Sequence, residues 1–472
     1  VSDILFATQS YKSDSLALSA QRCINAYAEF QPPSAKSQSP VFGCPGIASY
    51  ITVGTGPIRG MFDMDGVPYV VSGDGLYTFD STGTVTQIGG GITGHSVVSL
   101  AGNGIQVAIA NGENGFIYTL SSGVFAQISD SDFHAGAETV TYIDGYFVFD
   151  WEGTGKFFLS GLLAGTSYAA LDFATAESAP DDVLTTSARS GLLVVFGSKT
   201  IEFWDHTGAS SFPFRRVKGS TINRGIAGPK CKADEDNGSF FLGEDRVFYR
   251  LQGSTLGRAS THALEKEWET YTTISDAFCF PMSFGGHKFI YLTFPTEGTT
   301  FGYDLTTQLW HERQSYDPTG VEVKWRANAI CAAHGFTYIG DANSNKVGKL
   351  SNSTYTEFGD PMIMTLTAPV LHGAGLLTFM PYFELDMQTG VGLLTGQGSD
   401  PQIMLDWSDD GGRSFVGPQL WRSLGALGVG STRVQWDALG SFYSRVMRVS
   451  VSDPVQRVLI AARARGLHTE PK

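Results

Sequence analysis

Short apolar runs recur along this chain between turns rich in Gly, Asn and Asp. A Gly turn, a short apolar strand, a second turn and an aromatic-rich strand form a unit that occurs about seven times. The turn glycines are Gly66, Gly104, Gly145, Gly191, Gly238, Gly286 and Gly335, at spacings of 38, 41, 46, 47, 48 and 49 residues. The strands after them read VPYVV, IQVAIA, YFVFD, LLVVF, SFFL, KFIYLTF and FTYIG, and their partners LYTFD, FIYTL, KFFLS, TIEFWD, RVFYRL, TFGYD and KVGKL. Runs this short between such turns suit antiparallel hairpins. Strand-only units at a period near 40 to 50 residues are the pattern of β-propeller blades, each packing its sheet against the next. The spacing predicts about seven blades, with six to eight compatible with it. One stretch, THALEKEWETY at 261–271, reads as a helix.

From about residue 361 the pattern changes. Longer alternating segments such as TFMPYFELDM, PQIMLDWSDD and SRVMRVSVSD predict a separate antiparallel sandwich. Residues 1–50 are rich in Ser, Ala, Gln and Pro with little periodicity, which suggests an arm that lies on other surfaces and lends a closing strand to the ring. The expected organisation is therefore an all-β chain: arm and ring entry at 1–50, propeller at 51–360, sandwich at 361–472.

Composition narrows the function. The 472 residues carry a formal net charge of −14, which opposes any affinity for nucleic acid that depends on neutralising phosphates. Cys23, Cys44, Cys231, Cys279 and Cys331 are odd in number and widely spaced, so neither a disulfide framework nor a zinc site is signalled, and they read as reduced or buried thiols of a cytosolic compartment. The start VSDILFATQS lacks the regions of a signal peptide, and no run of apolar residues is long enough to span a membrane. These features predict a soluble protein outside the general secretory route.

Candidate chemistry is sparse. WSDDGGRSF at 407–415 fits the Asp-box pattern that recurs in sialidases. Its geometry is explicable without catalysis: Ser408 and Asp410 hydrogen-bond the turn, Gly411 and Gly412 permit positive φ, and Phe415 packs beneath. A glycosidase needs two carboxylates flanking a cleft, which sequence spacing cannot supply across blades. The nine histidines never fall as HxH or HxxxH, FDMDG at 62–66 reads as a β-turn rather than a calcium loop, and no phosphate-binding loop or nucleophile elbow occurs. Neither metal nor cofactor is expected, and no catalytic residue is assigned. Basic residues cluster in FPFRRVKG at 212–219, where Arg215, Arg216 and Lys218 are candidates for contact with a partner or with DNA, and in RVLIAARARG at 457–466. Protection of exposed β-edges against pairing is the more frequent use of such charges.

The ordered set of motifs resembles the packaged-DNA stabilisation proteins of short-tailed bacteriophages, also called tail accessory factors or tail nozzle proteins. RCINAYAEFQPP at 22–33 and CPGI at 44–47 resemble the family's Asn-x-Tyr-x-Glu segment and later Pro-Gly. APDDVLTTSARSGLLVVFGSKTIEFWDHTGASSFPFRR at 179–216 is similar to its central block, and WSDDGGRSF, LGALG, RVQWDALG and SDPV follow in order. The resemblance spans most of the chain; Cys44 before the Pro-Gly departs from the family pattern. It implies a non-enzymatic virion protein of the tail, assembled in the host cytoplasm as a ring, usually of six copies, beneath the head-to-tail adaptor ring. It implies retention of packaged DNA, a conduit for ejection without sequence specificity, and attachment of a needle or plug and of tailspikes or fibres. An acidic wall suits sliding DNA.

Two rival readings follow from the same residues. A sialidase-like glycan hydrolase is motivated by the Asp-box and the propeller, although a single Asp-box lies outside the repeats. A glycan-binding propeller is motivated by Trp151, Trp204, Trp310 and Trp325, although such aromatics more often pack between blades.

Overall fold

The computed structural model describes residues 2–4, 6–176, 178–209, 212–415, 419–465 and 468–469. Among these residues strands dominate, and the one α-helix is His262–Glu269. Seven antiparallel sheets succeed one another along the chain. Six are built from four consecutive strands, at 58–90, 99–127, 140–175, 183–216, 232–258 and 278–312. The seventh takes three strands from 327–351 and its outermost from Gly46–Thr52, which pairs antiparallel with Lys346–Ser351. The first strand of every sheet faces one central tunnel, to which the seven contribute Met61, Ser99, Thr141, Thr186, Asp234, Phe280 and Asn328. The propeller therefore has seven blades. Its first and last blades meet directly, Asn328 Nδ2 donating to the Ile58 carbonyl at 2.7 Å.

Local chemistry explains the repeat. Asp65-Gly66, Asp144-Gly145, Ser190-Gly191, Gly285-Gly286 and His334-Gly335 each place two successive residues at positive φ, as a two-residue hairpin turn with the twist of its strands requires. In the fifth blade Asp236 and Asn237 occupy those positions, and the expected turn glycine, Gly238, already begins the strand. The aromatic-rich strands fill the gaps between blades: Phe157 meets Trp204 at 5.1 Å between the third and fourth, and Phe196 meets Phe241 at 5.4 Å between the fourth and fifth. The helix is shorter than the 261–271 expected. Thr261 caps its N-terminus, and Trp268 is buried against Phe294, Phe301 and Trp310.

The C-terminal strands form two facing sheets around Phe383, Leu405, Trp436 and Met447. One sheet orders Val434–Asp437, Tyr382–Met387, Val458–Arg465, Val41–Gly43 and Ala26–Ala28. The other orders Cys23–Ile24, Met364–Thr367, Ser444–Val451, Gln402–Ser408 and Leu420–Ser423. Cys23–Ile24 also pairs, in parallel, with Trp310–Glu312, the outermost strand of the sixth blade, so that blade and sandwich share one ten-stranded sheet. The N-terminal residues thus add strands to both sandwich sheets before Gly46–Thr52 enters the propeller. Strands of two or three residues are too short to show an alternating pattern, which is why this segment reads as an irregular arm.

Candidate functional site

The arm, the sixth blade and the sandwich meet around Asn25, a fully buried residue with φ of 53°. Its Nδ2 donates to the carbonyls of Gln314 at 3.0 Å and Ile363 at 2.8 Å, and its Oδ1 accepts from the Gln314 amide at 3.1 Å. A left-handed conformation is one that Asn tolerates better than other L-residues, and the short amide reaches backbone on two sides. Two residues on, the Tyr27 ring packs edge-on against Phe284, His287 and Phe289 at 5.1–5.6 Å. Glu29 follows, its carboxylate 3.9 Å from His287 Nε2, while His287 Nδ1 lies 2.7 Å from Asp304. The Asn-x-Tyr-x-Glu segment is therefore a set of rivets holding the arm to the ring.

Beside it lies a second buried group. The Arg313 guanidinium lies over the Trp325 ring at 4.3 Å, and Glu357 accepts from Trp325 Nε1 at 2.7 Å and from Ser315 Oγ at 2.5 Å. Burial pushes the Glu357 carboxyl above its usual range. Arg457 is also buried. Burial lowers its guanidinium to about 10, and Nη2 donates to the carbonyls of Tyr355 and Asp453. Sequence reading missed Arg313, Trp325 as a polar partner, and Glu357; nothing in their spacing signals the contact, because they come together only through the fold.

The Asp-box is a closed turn. Ser408 Oγ donates to Asp410 Oδ1 at 2.6 Å and accepts from the Gly412 amide at 2.7 Å. Asp410 Oδ1 accepts from the amides of Arg413 and Ser414, both at 3.0 Å, and Oδ2 from Ser414 Oγ at 2.5 Å. These bonds, led by that from Ser408, hold the carboxyl well below the usual range. Gly411 and Gly412 have φ of 80° and 90°, and a Cβ at Gly412 would stand 2.5 Å from Ala20 Cβ. The turn is thus pressed onto the arm. Phe415 lies 3.8 Å beneath the guanidinium of Arg448, which is itself paired with Asp406.

The cavity of the propeller tunnel has a volume of about 300 Å³ and a mixed lining, in which Thr141, Thr186, Lys232 and Asp234 alternate with Met61, Val140 and Phe280. Its lysines are paired: Lys232 Nζ lies 3.1 Å from Asp234, and Lys230 Nζ lies 2.5 Å from Glu138. Glu138 precedes the inner strand of the third blade and Lys230 that of the fifth, so this ion pair bridges across the fourth blade.

The basic runs separate in space. Arg215 and Arg216 end the outermost strand of the fourth blade, Phe214–Arg216. Arg216 bonds to Ser178 Oγ and to the buried Glu202, whereas Arg215 and Lys218 are exposed. The second run is no sheet edge, contrary to the expectation of edge protection. Val458–Arg465 lies inside its sheet, paired on both flanks, Arg457 is buried, and Arg463 approaches Asp386 at 3.5 Å. Its final residue, Gly466, lies outside the described residues. Trp204, Trp310 and Trp325 are buried, and the Trp151 ring is stacked by His134 at 3.4 Å and has Lys156 Nζ over it at 4.8 Å. FDMDG is the first hairpin turn of the ring. All five cysteines are free, with burial raising the Cys44 thiol to about 11 and Cys331 to about 12. No cluster of metal-ligating side chains occurs among the described residues, and no helix there is long and apolar enough to cross a membrane.

A family model of the bacteriophage P22 Gp10 β-propeller matches residues 6–355, and one of the P22 Gp10 β-sandwich matches residues 363–466. No curated protein matches the sequence. Among solved structures, the chain is similar to the computationally designed Ika8 protein, at 12% identity over 64% of this chain and 99% of that one, with a TM-score of 0.37. It is similar to the extracellular domain of the putative one component system BT4673 from B. thetaiotaomicron, at 9% identity over 71% and 45% of the respective chains, with a TM-score of 0.43. BamB from Moraxella catarrhalis follows at 13% identity, over 70% and 97%, with a TM-score of 0.37. These structural likenesses are too distant to carry anything about this chain's role.

Proposed function

We propose, from the premise that this chain belongs to the bacteriophage P22 Gp10 family of phage tail structural proteins that stabilise packaged DNA, that copies of it form a closed ring below the portal and its adaptor, retain the genome and provide its exit conduit. The ring is a hexamer in this reading, assembled in the host cytoplasm and carried in the virion tail. Its partners are the head-to-tail adaptor, a needle or plug, tailspikes or fibres, and DNA passing without sequence specificity. The working division of each copy is the arm and ring entry at 1–50, propeller at 51–360 and sandwich at 361–472.

The observation that carries this reading is the match of the two family models across the chain. Geometry refines it. A cavity of about 300 Å³ between the seven inner strands is far smaller than a double helix, so in this reading DNA passes between copies and not through a propeller. The charge is consistent with this: the chain carries net −14, Arg216 is paired to Glu202 and Arg457 is buried, so these two guanidiniums are not free to grip phosphates. The shared ten-stranded sheet fixes the sandwich to the sixth blade, which suits a part that bears load along a tail. The test is to add the purified chain to heads that carry the adaptor and measure the added mass and symmetry by electron microscopy. A closed ring with an open axial lumen is expected; isolated copies bound without closure would refute the conduit.

A further inference from the structure

Two surface regions of this acidic chain are apolar and almost uncharged, and they lie on different domains. The first is the tip of the sandwich, made by the loops at 388–399 and 423–432, neither of which contains a charged residue. It is a built feature. The Gly390 amide donates to the Leu424 carbonyl at 2.9 Å, the Gly428 amide to the Gly390 carbonyl at 3.0 Å, and Thr389 Oγ1 to the Gly430 carbonyl at 2.9 Å. A Cβ at Gly392 would meet Ala426 Cα and the Leu427 amide at 2.9 Å, so glycine is what allows the two loops to pack backbone against backbone. Held on this base are Leu394, 85% exposed, and Leu393, Leu427 and Val429, all exposed.

The second region is a corner of the propeller at the second and third blades. Ile105, Leu120 and Val124 are exposed at hairpin ends of the second blade, with the Leu120 amide bonded to the Ile105 carbonyl at 3.0 Å. Leu162 and Leu163 are exposed on the neighbouring turn of the third blade, beside the Asp144-Gly145 turn, where the half-exposed Asp144 faces His206 of the fourth blade at 3.8 Å. That turn leans onto the second blade, the Gly165 amide donating to Gln106 Oε1 at 2.9 Å. The second blade carries a single charged residue, Glu113, in the turn between its two central strands and so at the opposite end from this corner.

We propose that these two regions are the two halves of one contact between copies: the sandwich tip of one chain seats against the corner of the second and third blades of the next. The proposal rests on the ring reading above and says which surfaces close the ring. The occupant is a second copy because of charge. Chains of net −14 repel over most of their surface, and they approach at least cost where carboxylates are few or are faced by a basic group, as Asp144 is by His206. Each region presents leucines and a β-branched residue, so burial of one by the other removes apolar area from water on both sides. Because tip and corner are different surfaces, the contact is head-to-tail, the kind that generates a ring when its rotation closes.

The test uses two singly substituted full chains, Leu394→Cys and Leu163→Cys, incorporated together or separately onto adaptor-bearing heads and treated with a short bismaleimide. Both sites are exposed, so folding is not at issue, and circular dichroism of each variant checks this. A cross-linked dimer is expected when the two variants are mixed and not when either is used alone. A dimer from Leu394→Cys alone would mean tip meets tip, and would overturn the proposal. Ring-shaped particles without cross-linked dimer would overturn it too while leaving the ring reading intact. Copies that never associate on the heads would overturn both.

Discussion

Asn25 and Gln314 pair as two peptide groups do: the Asn25 side-chain amide donates to the Gln314 carbonyl at 3.0 Å and accepts from the Gln314 amide at 3.1 Å. The same Nδ2 reaches Ile363 at 2.8 Å, so a single side chain ties arm, propeller and start of sandwich. Asn25→Ala leaves three buried backbone groups without these partners and forces alanine to φ of 53°, at a cost of about 2–4 kcal/mol. Asn25→Gly loses the bonds but keeps the conformation, and should cost less. Urea denaturation of the two variants against the parent chain checks the order.

Gly46 begins the strand that completes the seventh blade. A Cβ there would lie 2.5 Å from the carbonyl oxygens of both Thr354 and Thr356, which are backbone and yield little. Gly46→Ala should therefore destabilise by about 1–3 kcal/mol and act locally. Hydrogen exchange should quicken at the amides of 46–52 and 346–351 more than in the third blade.

His287 and His311 lie in the sixth blade with opposite responses to pH. The bond to Asp304 holds the His287 imidazole above its ordinary value of 6.5, against the burial that lowers it. Its stabilisation is complete below that ordinary value and is lost as pH rises through the raised one. Burial holds His311 down to about 3, so the folded chain resists a proton that the unfolded chain accepts, and stability falls as pH drops below 6.5. His287→Gln should flatten the decline of the urea midpoint as pH rises above 6.5 and leave the acid-side decline in place.

The Asp410 carboxylate binds the turn that rests on Ala20. Asp410→Ala frees the amides of Arg413 and Ser414, whose exchange should accelerate strongly while the rest of the sandwich is unchanged. Since the carboxyl titrates below its usual range, the parent turn should keep its protection through mild acid and lose it only in strong acid. No effect on DNA retention is expected from this variant.

The propeller was legible because its signal is local: a turn that needs two positive-φ residues leaves Gly at nearly every unit, and Gly238 was misplaced only because Asp236 and Asn237 serve the turn themselves. The sandwich was legible from alternation. The arm was not, since Cys23–Ile24 and Ala26–Ala28 are shorter than any period, and their partners lie far along the chain. The junction was half visible. The Asn-x-Tyr-x-Glu segment stands out in the sequence, but Arg313 and Glu357 are ordinary residues until the fold buries them together. The basic run at 457–466 misled because charge reads as surface, whereas Arg457 is enclosed and bonded to carbonyls.

The central claim is that this chain retains packaged DNA. The direct measurement is the nuclease sensitivity of the genome in particles assembled without the chain, before and after the purified protein is added back. The account predicts leakage and digestion in deficient particles and restored protection on addition. Genomes equally protected with and without the chain would contradict it.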